Sequence, residues 1–189
     1  MIILASQSPR RKELLKEILG DIPFICIPSS FNEREISETD IRKLCLEEAL
    51  CKGEVVSLAH MDDIVISADT MVSYKGIQLG KPKDEEDARR MLRLITGDVH
   101  EVITAYAIFK GGKVQEKRVC RARVYLEKMA DLEIEEYLDT LSPLDKAGAY
   151  GIQDKDFIES KILSGSYETI VGLPIDELEE DLVKLGIIE

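Results

Sequence analysis

The first nineteen residues constrain the fold most. Met1 to Leu4 form a short apolar run that reads as a buried strand. Ser6 to Ser8 make a turn. Pro9 suits the first position of a helix, where its missing N–H is not needed. Ser8 stands just before it, where a hydroxyl can take up a free N–H. Leu14, Leu15, Ile18 and Leu19 mark the buried stripe of that helix. Arg10 and Arg11 therefore fall in its first turn, where each opposes the helix macrodipole by about 0.3–1 kcal/mol unless an anion is bound. Free N–H groups, hydroxyls and two guanidinium forks at one helix start are the chemistry of a phosphate site. Two solvated surface arginines would leave the same pattern.

The rest of the chain keeps alternating. Phe24 to Ile27 read as a second strand, closed by Pro28, and residues 28–39 as a polar loop. Asp40 to about Leu58 read as a helix with apolar points at Ile41, Leu44, Cys45, Ala49 and Val56. Ile64 to Ile66 form a strand core. Met71–Tyr74 and Ile77–Leu79 flank Lys75-Gly76, a hairpin signal. Asp84 to Ile95 predict an acidic-first helix ended by Gly97. Val102–Phe109 and Val114–Leu126 flank Gly111-Gly112, a longer hairpin. Asp131 caps a helix to about Leu141, and the last helix runs from after Pro174 to Leu185, ended by Gly186. Strands mixed with helices, plus hairpins, predict an α/β fold with a mixed sheet.

Charge then narrows the partners. With 37 acidic and 25 basic residues the formal net charge is −12, so most of the surface repels nucleic acid and anionic membrane. Small molecules, metal cations or further copies of the chain are the expected partners, and an anionic substrate needs a local basic cluster. Cys26, Cys45, Cys51 and Cys120 have no zinc-type spacing. No stretch reads as a signal peptide or reaches the length of a membrane span. A cytoplasmic protein with reduced thiols is the expectation.

Four further segments can carry chemistry. Asp69 in Ser67-Ala68-Asp69-Thr70 reads as the C-terminal end of an apolar strand, where α/β sheets place ligand sites; a turn aspartate bonded to its own backbone fits equally. In Gly80-Lys81-Pro82, Lys81 is either a point charge for phosphate or a solvated loop lysine. In the small-residue run 146–153, Gln153 offers a donor and an acceptor to a base edge, or the run is a tight turn on the core. Glu33 is either a metal ligand or an exposed loop glutamate. His60 and His100 stand isolated and receive no catalytic role. Tyr106 and Phe109 read as core rather than as a stacking platform.

Together these segments resemble the Maf family of nucleoside triphosphate pyrophosphatases. The matching strings are LASQSPRR (4–11), SADTMV (67–72), GKP (80–82), TGDVHEVITA (96–105), KAGAYGIQ (146–153) and GSYETIVGLP (165–174). They span essentially the whole chain, so residues 1–189 are expected to form a single Maf-like domain. The resemblance implies an α/β body with a long, bent mixed sheet, flanking helices and two lobes around a cleft, similar to inosine triphosphate pyrophosphatases. It implies hydrolysis of a nucleoside triphosphate to the monophosphate and pyrophosphate with Mg²⁺ or Mn²⁺, a hydrolase acting on acid anhydrides. It also implies a cytoplasmic homodimer from a family named for an association with septum formation. The Tyr150-Gly151-Ile152-Gln153 string is that of the branch acting on dTTP, UTP and related pyrimidine nucleotides, not of the 7-methyl-GTP branch.

By the same resemblance Ser6, Arg10, Arg11 and Lys81 contact the triphosphate, with Lys81 also in the catalytic set. Glu33 and Asp69 hold the metal, Asp69 activates water, and Gln153 reads the base. Oxygen-only ligands suit Mg²⁺ or Mn²⁺. Two departures stand out. The family's LAxxKA lysine falls on Glu48 when the pattern is laid on Leu44–Ala49; either Lys52, one helical turn further along the same face, substitutes, or the site has one cation fewer and an extra metal ligand. Asp154 stands where a glycine commonly follows the glutamine. The alternative function is a nucleotide-binding regulator of division with little turnover, which Glu48 favours and the paired carboxylates disfavour.

Overall fold

The computed structural model of the chain describes residues 1–30, 40–140 and 143–189. The elements run β1 (Ile2–Leu4), α1 (Pro9–Leu19), β2 (Phe24–Cys26), α2 (Ile41–Ala59), β3 (Ile64–Tyr74), β4 (Ile77–Leu79), α3 (Glu85–Ile95), β5 (Val99–Lys110), β6 (Lys113–Leu126), α4 (Asp131–Thr140), β7 (Ser160–Ser164), α5 (Tyr167–Val171) and α6 (Ile175–Lys184). Among the described residues seven strands form one sheet in the order β2-β1-β3-β5-β6-β7, with β4 on β3. β1 is parallel to β2 and β3, whereas β4 and β7 are antiparallel to their neighbours. The expected α/β class with a mixed sheet and flanking helices is what the chain adopts. No helix among the described residues is long and apolar enough to cross a membrane.

Two compact units divide the chain. The first comprises Met1–Asp69, Thr104–Cys120 and Val171–Glu189, and the second Thr70–Ile103 and Arg121–Ile170. In the first unit the side-chain alternation of a strand sorts the core into two faces. Ile2, Leu4, Ile66, Ala68, Tyr106 and Ile108 pack with Leu14, Leu15 and Leu19 of α1 and Leu178 and Leu182 of α6. Ile3, Ala5, Val65, Ala107 and Phe109 pack on the other face with Val56 of α2. Strands covered on both faces read as continuous apolar runs, which is why Met1 to Leu4 announced itself. Tyr106 and Phe109 are both core, on opposite faces. In the second unit the Lys75-Gly76 hairpin takes left-handed backbone at both turn residues, φ 49° and 80°.

One strand differs from expectation in a way that matters. β3 does not end near Asp69; it runs through Ser67, Asp69 and Thr70 to Tyr74, and Asp69 lies inside it. Polar residues in that stretch read as a strand end because they break an apolar run. Instead Ser67 and Asp69 share the α2 face, and α2 satisfies them. Ser67 Oγ donates to Ala49 O at 2.6 Å, and Asp69 pairs with Lys52. Asp131 is the first residue of α4 rather than its cap; its carboxylate accepts from Arg93 Nε at 2.9 Å. β7 and α5 lie in a segment that carries no clear apolar period.

Candidate functional site

In the first unit the residues expected to meet phosphate lie at the start of α1. Ser8 caps the helix, its hydroxyl accepting from Arg11 N at 3.4 Å. Buried Ser6 accepts from Ser8 N at 3.2 Å, so the turn leaving β1 is fixed by its own hydroxyls. The Arg11 guanidinium is not simply solvated. Its Nε donates to Gly172 O at 2.8 Å and one terminal nitrogen donates to Ser6 Oγ at 3.4 Å. Gly172 follows α5, so a carbonyl from the far end of the sequence meets part of the charge that the α1 dipole repels. Arg10 lies half-buried in the same turn.

A second cluster lies between α2 and β3. Lys52 Nζ stands 2.6 Å from Asp69 Oδ1 and 3.8 Å from Glu48 Oε2. Glu48 and Asp69 are each 7 % exposed. Their burial requires a cation or strong donors close by, and Lys52 supplies one. Glu48 and Lys52, one helical turn apart, thus both face Asp69. Of the two, it is Lys52 that bonds to Asp69. Gly53 is small for a physical reason: a Cβ there would stand 2.2 Å from the Phe109 ring and 2.5 Å from Ser67 Oγ.

Cys45 of α2 lies against Asp69. Its thiol donates to Asp69 O at 3.4 Å. Burial pushes its pKa well up, the Asp69 and Glu48 charges add to that, and the Arg11 charge opposes it. The thiol therefore stays protonated and offers no soft ligand, leaving carboxylate oxygens as the donor set. That set fits a hard divalent cation. Two carboxylates gather here, and no group of three or more metal-type ligands exists among the described residues. Mg²⁺ keeps several waters and takes phosphate oxygens, so it needs no more from the protein. Glu33, the other expected ligand, lies outside the described residues.

In the second unit the GKP and KAGAYGIQ segments meet. Gly148 N donates to Gly80 O at 3.1 Å, next to exposed Lys81. Gly148 and Ala149 take left-handed backbone, φ 71° and 62°, in a short 3-10 turn at 147–149. Gly151 O accepts from Asp154 N at 3.0 Å, closing a turn that carries exposed Gln153. His100, set aside as isolated, is buried with its Nε2 2.6 Å from the Tyr150 hydroxyl. Burial lowers its pKa to about 4, and its Nδ1 has no partner among the described residues. Tyr137 was also missed. Its hydroxyl accepts from Gly151 N at 3.2 Å and donates to Asp154 at 2.8 Å. Partners 50 and 14 residues apart leave no periodic signal in the chain.

The family model described as Maf-like protein matches residues 1–185. This chain belongs to the Maf family. It is 42% identical over 192 residues to a protein of Clostridium botulinum (strain Okra / Type B1) named dTTP/UTP pyrophosphatase, covering 98% of this chain and 97% of that one. A Bacillus cereus (strain G9842) Maf relative of the same name is 41% identical over 189 residues, covering 98% and 96%. Among solved structures, a HAM1 protein from Coxiella burnetii matches with a TM-score of 0.50 at 13% identity, covering 97% of this chain and 98% of that one. This likeness concerns the fold alone, and it agrees with the expected α/β class.

Proposed function

We propose that this Maf protein is a nucleoside triphosphate pyrophosphatase that cleaves dTTP and UTP to the monophosphate and pyrophosphate. The observation that carries the reading is the Lys52–Asp69 pair, with Glu48 beside it, close to the arginine-bearing start of α1. A site for binding alone needs cations; buried carboxylates next to cations suit a site that also positions a metal and a water. Lys52 at Asp69 supports this reading over that of a non-hydrolytic regulator. The relatives named dTTP/UTP pyrophosphatase and the Tyr150–Gln153 string support the pyrimidine substrates.

In this reading Ser6, Arg10, Arg11 and Lys81 bind the triphosphate, and Gln153 reads the base. Asp69, with Glu33 and Glu48 as further oxygen donors, holds Mg²⁺ or Mn²⁺, which when bound supplies charge neutralisation to the phosphates. Asp69 takes the proton from the water that attacks the α-phosphorus. The Lys52 hydrogen bond fixes the orientation of that carboxylate. Arg11, held by Gly172 and Ser6, keeps its guanidinium aimed before substrate arrives, which lowers the ordering cost of binding. We further propose that residues 1–189 act as one Maf-like domain, in a cytoplasmic homodimer, and that any part in septum formation follows from the nucleotide chemistry.

Pyrophosphate release from dTTP, UTP, dCTP, ATP and GTP, with Mg²⁺ or Mn²⁺ and with chelator, tests the proposal. Release from dTTP and UTP well above the purine nucleotides, and lost with chelator, is expected. Equal purine turnover would overturn the branch, and no release from any nucleotide would overturn the activity.

A further inference from the structure

We infer that Tyr137 and Asp154 are positioning residues for base discrimination, acting on Gln153; this rests on the reading of Gln153 as the group that meets the base. A terminal amide has a donor and an acceptor side by side. Thymine and uracil present O4 as an acceptor, where cytosine presents an N4 donor. A glutamine amide free to turn over can pair with either edge. Discrimination therefore depends on what fixes the amide, not on the presence of glutamine.

The turn that carries Gln153 is held from two sides. The Tyr137 hydroxyl, on α4, accepts from Gly151 N and donates to the Asp154 carboxylate, so it clasps both ends of the turn that carries Gln153. The backbone closes the same turn through Asp154 N to Gly151 O. Gly151 has no left-handed backbone requirement; it is small because of what lies on it. A Cβ there would stand 2.6 Å from the Gln153 amide nitrogen and 2.7 Å from an Asp154 carboxylate oxygen. The amide and the clasped carboxylate thus lie over one glycine. In the inference, a carboxylate so placed attracts the N–H end of the amide and so biases which way the amide faces.

The test compares kcat and KM for dTTP and dCTP in the parent, Gln153→Ala, Tyr137→Phe, Asp154→Gly and Asp154→Asn. Gln153→Ala is expected to abolish the preference for dTTP. Tyr137→Phe and Asp154→Gly are expected to lower the dTTP/dCTP ratio of kcat/KM about three- to tenfold, the scale of one lost hydrogen bond, mainly through KM. Asp154→Asn keeps an acceptor for the Tyr137 hydroxyl and should retain most of the preference. In the Gln153→Ala background neither Tyr137→Phe nor Asp154→Gly should change the ratio further. If Gln153→Ala leaves the preference intact, the reading of Gln153 falls and the clasp with it. If Gln153→Ala removes it while Asp154→Gly does not, the clasp alone is overturned. Asp154→Gly effective with Tyr137→Phe at parent values would also overturn it, because the carboxylate would then act without the Tyr137 hydroxyl.

Discussion

Lys52 Nζ lies 2.6 Å from Asp69 Oδ1, joining the middle of α2 to the interior of β3. Seventeen residues separate the two. The pair forms because Ser67 and Asp69 share one face of the strand and α2 covers that face. Glu48, one turn before Lys52, adds a second carboxylate at 3.8 Å.

Lys52→Ala leaves Asp69 and Glu48 buried with one cation fewer. Without metal, stability should fall by about 1.5–3 kcal/mol, the usual scale for a hydrogen bond to a charged group. Turnover of dTTP should fall about 10²–10³-fold, as when one fixed donor is lost from a reacting centre. Denaturant melts and steady-state kinetics on the same preparation check both. Parent-like values in both would mean that the pair does not persist in solution.

Asp69→Asn keeps the shape and an acceptor for Lys52 but removes the charge. Turnover is expected to drop about 10²–10⁴-fold if Asp69 takes the proton from water. Circular dichroism should be unchanged. Near-normal turnover with unaltered metal dependence would remove Asp69 from the mechanism.

Arg11→Ala joins two opposing effects. Relief of the dipole clash is worth about 0.3–1 kcal/mol. Loss of the bonds to Gly172 and Ser6 costs more, about 1.5–3 kcal/mol for charge-assisted donors. The ligand-free variant should therefore be less stable by about 1 kcal/mol and have a sharply higher KM for dTTP. A variant more stable than the parent in denaturant melts would show that the Gly172 contact contributes nothing.

Local signals of the fold were legible because their causes are local. Ser8 and Pro9 set the start of α1, and Lys75-Gly76 sets the β3–β4 hairpin. Period and punctuation fixed α2, α3 and α6 to within a residue or two. What escaped depends on distant partners. Asp69 looked like a strand end because the α2 groups that satisfy it lie elsewhere in the chain. Asp181 on α6 is fully buried, accepting from Tyr106 and Arg118 at 2.6 Å each, and no local pattern marks it. Arg11 and Gly172 are 161 residues apart. Of the expected site residues, Ser6 with Arg11 and Lys52 with Asp69 are brought together, whereas Glu33 falls outside the described residues.

Gly53→Ala would put a methyl group into the Phe109 ring, at 2.2 Å. Helix propensity favours alanine by about 1 kcal/mol. Overpacking a closed contact costs about 1–3 kcal/mol and shifts backbone. Net destabilisation of about 1 kcal/mol or more is expected, with reduced turnover because the shift moves Lys52 on the preceding position. A stabilised variant with full activity would show that α2 sits further from β5 than described.

His100 gives the protein a specific weakness to acid. Its pKa falls from 6.5 to about 4 on burial, so the folded state resists a proton that the unfolded chain accepts. Above pH 6.5 the ring is neutral in both states and contributes nothing to the pH dependence. Between pH 6.5 and 4 only the unfolded chain gains the proton, so stability falls as pH falls through that window, by about 3 kcal/mol in all. Below pH 4 both states are protonated and the loss levels off. Paired carboxylates such as Asp98 and Asp87, held below their usual range by Lys75 and Arg90, lose their contribution at lower pH still. His100→Gln keeps a polar partner for the Tyr150 hydroxyl but does not titrate. The parent should lose stability between pH 6.5 and 4 more steeply than the variant, approaching one proton's worth of slope, about 1.4 kcal/mol per pH unit. Urea melts of both proteins at half-unit steps measure this directly. Parallel curves across the window would mean that His100 takes up its proton without leaving its place in the fold.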